Sequence, residues 1–210
     1  GISKEVKVII DEINSKQYNN VFDFLGFVSE NNQEVGKKIG ESKVVCSDAD
    51  FEEYIKAFKL LGAVIPIGTS KIKKKIWEKI CKYDNLVYPN IISPSAKLMD
   101  KSSIEMGIGN IICSGCILTT EIKIGNFNLF NLNSTVGHNV TLENYGVINP
   151  LVSVSGDVTI EDEVLLGAGC AIKQGITVGK KSIVGLGAII TKDVVSEKVM
   201  ICEAAHERKI

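Results

Sequence analysis

The sequence predicts a two-part chain: a small N-terminal α/β unit with a parallel sheet, then a parallel β-solenoid of hexapeptide repeats. Helix and strand signals alternate over residues 1–88, and from about Ile91 a large apolar residue returns at every sixth position. Glycine often follows that residue, as at 125, 137, 167, 179 and 185, where a turning chain needs permissive backbone angles.

The first helix is predicted over residues 3–13, with Val6, Ile9, Ile10 and Ile13 on one face. A strand follows over residues 22–28. A second helix starts near Ser47, which with Asp50 resembles a capping box; Phe51, Tyr54, Ile55, Phe58 and Leu61 form its apolar stripe. Residues 63–67 read as a strand buried on both faces. Gly68-Thr69-Ser70 then turns the chain into a third helix carrying Ile72, Ile76, Trp77 and Ile80. Trp77 is expected in the core, and Lys71, Lys73, Lys74 and Lys75 read as a solvated face. The alternation implies a Rossmann-like unit, which normally opens with a strand and a glycine-rich turn. The helix signal begins directly after Gly1, so that strand and turn are expected to be missing.

In the second part, every sixth residue from Ile112 to Ile190 is large and apolar, fourteen in succession. At the 45% hydrophobic background chance gives this about once in 70,000 trials per frame, so the period is real. Ile92, Leu98 and Ile104 extend it upstream, with two residues inserted near Gly107–Gly109. Four residues after each sits a smaller or β-branched set, including Ser134, Val140, Val152, Cys170 and Ala188. Three hexads per coil stack residues 18 apart, about 4.8 Å from one another. The predicted units are residues 1–88, the solenoid 89–195, and a tail 196–210.

Composition narrows the function. A 45% hydrophobic, 23% charged chain of net charge −1 is that of a soluble globular protein, with no electrostatic case for nucleic acid or an anionic membrane. No apolar run approaches the roughly 20 residues of a membrane span, and residues 1–14 are amphipathic rather than a signal peptide's apolar block. The cysteines at 46, 81, 113, 116, 170 and 202 are expected to be reduced, buried thiols in the cytoplasm.

His138 and His206 are the only histidines. His138 lies at a solenoid corner, where it is either a surface residue or a base that takes a proton near neutral pH. Asn139 could orient its ring or simply fill the corner. Gly156, 18 residues on, should place a backbone N–H one coil above, where a thioester oxygen gains charge, or be a plain turn glycine. Gly68 and Thr69 open a helix, a place for nucleotide contacts or for an ordinary cap. Cys113 and Cys116 have the spacing of half a zinc site, but no second pair accompanies them and the frame points Cys116 inward; packing explains them, and no metal is expected.

The hexads resemble the left-handed β-helix acyltransferases. The α/β unit, the stretch Ile67 to Ile72, the link Tyr88 to Ala96, and Asn131 followed by Val136-Gly137-His138 are similar to one family in particular. It holds the sialic acid O-acetyltransferases and the bacillosamine-type UDP-4-amino-sugar N-acetyltransferases. The resemblance implies a bacterial-type homotrimer with acetyl-CoA in a groove between neighbouring prisms, and a nucleotide-sugar held by the N-terminal unit for surface polysaccharide or glycan synthesis. It implies His138 as catalytic base, Asn131 beside the acceptor amine, and Gly156 near the acetyl carbonyl. Gly167-Ala168-Gly169 and Gly185-Leu186-Gly187-Ala188 match turns along the pantetheine arm, and Thr191-Lys192 the turn meeting the CoA phosphates. The sequence also departs from the pattern. Asn139 stands where the family commonly has an acidic residue, and Val147 where some members have a second histidine. Val28-Ser29-Glu30 and Cys202 to Ala205 replace other family motifs. O-acetylation of a sugar such as sialic acid, and a non-catalytic solenoid for assembly or sensing, are the competing readings. A carbonic-anhydrase-like metal enzyme needs three histidines, and the chain has two.

Overall fold

A computed structural model describes residues 2–18 and 20–203, so His206 lies outside the described residues. The hexads form short parallel strands stacked into three sheets, the faces of a prism. The first face stacks Ile91–Ile92, Ile111–Ile112, Leu129–Phe130, Val147–Ile148, Leu165–Leu166, Ile183–Val184 and Val199–Met200. The second runs from Lys97–Leu98 through Ile117–Leu118, Thr135–Val136, Ser153–Val154 and Ala171–Ile172 to Ile189–Ile190. The third runs from Ile104–Met106 through Ile122–Ile124, Thr141–Leu142 and Thr159–Ile160 to Thr177–Val178. Leu129 pairs with Val147, Thr135 with Ser153 and Thr141 with Thr159, the 18-residue register of one coil. All fourteen sixth-position residues are at most 4% exposed and form one continuous core, with the smaller column buried beside them. These stacked parallel sheets fit a left-handed β-helix.

Two features of the corners correct the sequence reading. The left-handed backbone angles fall every sixth residue, as at Glu121, Phe127, Asn133, Asn139 and Tyr145, with φ between 53° and 61°. The glycines at 125, 137, 167, 179 and 185 are not among them. A methyl on Gly137 would lie 2.7 Å from the Gly156 nitrogen, and one on Gly167 2.6 Å from the Gly185 carbonyl carbon. These glycines serve the close approach of the next coil rather than backbone freedom. The two extra residues also lie earlier than expected. Met106 pairs with Ile124 while Leu98 pairs with Leu118, so the insertion falls between Leu98 and Met106, where a 3-10 turn covers Lys101–Ser103.

The N-terminal part consists of α1 (Ile2–Ser15), β1 (Phe27–Ser29), β2 (Lys38–Ile39), β3 (Ser42–Ser47), α2 (Phe51–Ile55), β4 (Leu61–Gly62), α3 (Ser70–Ile80) and β5 (Leu86–Val87). Its strands make two small sheets instead of one doubly wound sheet: β1 and β2 flank β3, and β4 pairs with β5. The β1–β3 and β4–β5 pairs are parallel; β2–β3 is an antiparallel hairpin. β3, which sequence reasoning passed over, ends in Ser47, whose hydroxyl bonds Asp50 at 2.8 Å ahead of a helix only five residues long. Residues 63–67 lie just past β4, and only Ile65 among them is buried.

This part docks on the prism in two places. Val6, Ile9 and Ile10 of α1 pack on Ile91, Ile111, Leu129 and Val147, the outward side chains of the first face. That explains why the face reads as continuously apolar. Trp77 of α3, partly buried, meets Phe127 and Tyr145 at the corner between the third and first faces, with ring centroids 5.8 and 6.4 Å away. Lys73 is not part of a solvated face: it is 1% exposed, and its ammonium donates to the Phe127 carbonyl at 2.7 Å. Four cysteines are buried thiols, but Cys81 and Cys202 are exposed. Cys113 faces α1, where burial pushes its thiol up to about 12, and Cys116 turns into the solenoid core.

Candidate active site

With α1 and α3 covering the lower rungs of the first face and its junction with the third, the second face and the corners on either side of it remain open. Nearly all candidate residues fall on those two corners, in columns set by the 18-residue coil. Asn131, Asn149, Gly167 and Gly185 stack along the corner between the first and second faces. His138 and Gly156 stack along the corner between the second and third faces, with Thr191 and Lys192 further up that edge.

His138 is exposed, and its ring lies against Gly156. A methyl on Gly156 would fall 2.5 Å from both Cε1 and Nε2, so the glycine is what lets the ring sit there. Asp157 N donates to the His138 carbonyl at 2.8 Å, fixing the two coils against each other. Among the described residues the Gly156 N–H has no hydrogen-bond partner. The corner therefore sets the Nε2 edge of an imidazole beside an unspent backbone donor, the two groups an acyl transfer needs. On the ring's other side Nδ1 lies 2.8 Å from Asn139 Oδ1, and Asn139 Nδ2 donates to Glu121 Oε2 at 3.1 Å.

The other corner is different in character. Asn131 is buried and donates from Nδ2 to Asn149 at 3.3 Å, while Gly169, Leu186 and Gly187 are exposed above it. A whole face separates it from His138, which lies seven residues further along the chain. Gly68 and Thr69 sit on a third site, at the start of α3; Thr69 occupies the N-cap but makes no side-chain cap bond. One chain thus groups His138, Asn139 and Gly156, groups Asn131 with the two glycine turns, and leaves Gly68 and Thr69 apart from both. Val147 lies buried in the apolar layer under α1, away from the His138 corner.

Comparison with known proteins agrees with this architecture. Residues 157–192 match the family described as the hexapeptide repeat of succinyl-transferase. No curated protein matches the sequence. Among solved structures, WeeI from Acinetobacter baumannii AYE is 25% identical, with 95% of this chain and 91% of that one covered and a TM-score of 0.82. A variant of perosamine N-acetyltransferase from Caulobacter crescentus, in complex with CoA and GDP-perosamine, is 20% identical over 95% of this chain and 90% of that one, TM-score 0.80. The acetyltransferase domain of PglB from Neisseria gonorrhoeae FA1090, in complex with acetyl coenzyme A, is 19% identical over 95% and 92%, TM-score 0.80. The chain has the fold of these proteins. The family resemblance read from the hexads and the His138 segment leads to the same group.

Sequence reasoning missed Glu121. It lies 18 residues before Asn139, so the coil period that connects His138 to Gly156 would have found it. It also missed the exposed leucines Leu132 and Leu151 at the first corner, which a six-residue frame alone does not mark as outward.

Proposed function

We propose that the chain is an acetyl-CoA-dependent N-acetyltransferase acting on the amino group of a nucleotide-linked sugar, with His138 as general base. The observation that carries this is the Nε2 edge of His138 set against Gly156, whose N–H is unspent. In the reaction the sugar amine attacks the thioester carbon, a C–N bond forms and the C–S bond breaks. Nε2 takes the amine proton, and the Gly156 N–H meets the carbonyl oxygen as it gains charge. The proton then passes to the departing CoA thiolate.

The separation of the candidate groups supports a homotrimer. His138 and Gly156 from one copy and the Asn131 column from its neighbour would meet where two prisms abut. The neighbour's Gly167 to Gly169 and Gly185 to Ala188 would then line the pantetheine arm, and Thr191 and Lys192 would meet the CoA phosphates. The neighbour's α/β part, including Gly68 and Thr69, would hold the nucleotide. Four buried free thiols suit a reducing compartment, the cytoplasm.

The test is a mass-spectrometric assay with acetyl-CoA and a panel of UDP-, GDP- and dTDP-linked amino sugars. Gain of one acetyl group on the amine is expected, and His138→Ala should cut turnover roughly 10²–10⁴-fold with coenzyme binding and Tm intact. Transfer to a hydroxyl alone, or a fully active His138→Ala, would overturn the assignment.

A further inference from the structure

We propose that Glu121 is a positioning residue for His138: from the coil below, through Asn139, it holds the imidazole with its proton on Nδ1 and its lone pair on Nε2. This rests on the reading of His138 as the base, and it supplies the carboxylate that Asn139 itself lacks.

The argument begins with what each group can do in a hydrogen bond. An ionised carboxylate only accepts, so the Asn139 atom facing Glu121 at 3.1 Å is the amide nitrogen. That fixes the direction of the amide, which carries its donor and acceptor on opposite sides and is otherwise free to turn over. Oδ1 must then face the ring, and at 2.8 Å from Nδ1 it can only accept. The proton is therefore on Nδ1, and Nε2, lying over Gly156, is free to take one from an acceptor amine. Were the amide reversed, Nδ2 would donate to Nδ1, the ring proton would move to Nε2, and the base would be lost.

The backbone brings the two side chains together. Glu121 and Asn139 are corner residues of successive coils, both left-handed, with φ of 53° and 58°. Asn139 N donates to the Thr120 carbonyl at 3.2 Å, so the two corners are tied together. Equal backbone angles at stacked positions send the two Cα–Cβ bonds out in parallel. Asp157, one coil beyond Asn139 with φ of 58°, is engaged by Gln174 at 2.7 Å, which leaves Glu121 as the carboxylate that Asn139 reaches.

The experiment uses the full chain with three variants: Glu121→Ala, Glu121→Gln, and Glu121→Ala combined with Asn139→Asp. Glu121→Ala should lower kcat roughly 10–100-fold and leave KM for acetyl-CoA unchanged, the usual scale for a group acting through another. Glu121→Gln keeps an acceptor for Asn139 and should retain most of the rate. Adding Asn139→Asp to Glu121→Ala should restore it, because a carboxylate next to the ring cannot turn over. Nitrogen-15 NMR of histidine-labelled protein reads the tautomer directly, in a His206→Gln background that leaves His138 as the one histidine. The neutral ring should carry its proton on Nδ1 in the parent and shift toward Nε2 in Glu121→Ala. An unchanged tautomer and an unchanged kcat in Glu121→Ala would overturn the role of Glu121. If instead His138→Ala stayed fully active, the base assignment would fail, while the NMR result would still decide what Glu121 does to the ring.

Discussion

Lys73 sits in the seam between α3 and the prism with no carboxylate partner among the described residues. Its ammonium has the Phe127 carbonyl at 2.7 Å and the Gly146 carbonyl at 3.4 Å, and burial brings its pKa from 10.5 down to about 7. Below about 7 the group is charged in both folded and unfolded chains, and the full cost of burying that charge is present. As pH rises toward 10.5 the folded chain sheds a proton that the unfolded chain keeps, so this site makes stability rise with pH. Lys73→Met removes that slope but leaves the two carbonyls without their donor. The variant should gain on the parent by a few kcal/mol, on the order of the pKa difference, as pH falls from about 10 to about 7. Denaturant unfolding of both chains at the two pH values measures it. Part of this was legible in the sequence: Lys73 is three residues before Ile76 and seven before Ile80, so helical spacing puts it on their face, and Ile72 is the one left 49% exposed. What the sequence could not supply is the pair of prism carbonyls that makes a buried lysine tolerable.

At the scale of the coil, buried asparagines take over where apolar columns stop. Asn110 N bonds the Asn90 side chain, Asn128 N bonds that of Asn110, and Gly146 N bonds that of Asn128, each at 2.7–2.8 Å. Asn128 also donates to the Glu143 carbonyl at 2.8 Å. Asn128→Ala leaves one backbone donor and one acceptor unmatched in a buried corner, and should cost about 2–4 kcal/mol. A lowered denaturant midpoint with an unchanged m-value is the expected reading. The solenoid was legible because a fixed period leaves one residue type per position: its strands and inward residues follow from the sixth-residue rule. The His138, Asn139 and Gly156 grouping came from the same arithmetic. The N-terminal part lacks such redundancy. Its strands are two to six residues long and carry no repeated frame, so β3 went unseen and the strand expected over residues 63–67 proved to be β4, at 61 and 62.

For the whole molecule, the distribution of apolar surface matters most. α1 covers the first face up to Leu165 and leaves Ile183 and Val199 of its last rungs exposed, the third presents Lys123, Thr141, Thr159 and Thr177, and the second with its adjoining corner presents Leu151, Leu186 and Ile189 at 64%, 75% and 75% exposure. Exposed apolar groups gathered on one side of a chain are the material of an interface. Leu186→Glu combined with Ile189→Lys should convert trimers to monomers in light scattering and abolish acetyl transfer while leaving the far-UV spectrum intact. A monomeric parent chain at every concentration would refute the shared site. The end of the prism has a consequence of another kind. Val178 bridges Val194 and Val184 pairs with Met200, so the last coil closes in 16 residues where the interior coils take 18 and the first takes 20. A stack of identical coils would offer its final rung as a template on which the first rung of another molecule could continue the ladder. The shortened coil departs from that match, so its last rung is a poorer template for the first rung of another molecule than an unaltered coil would be.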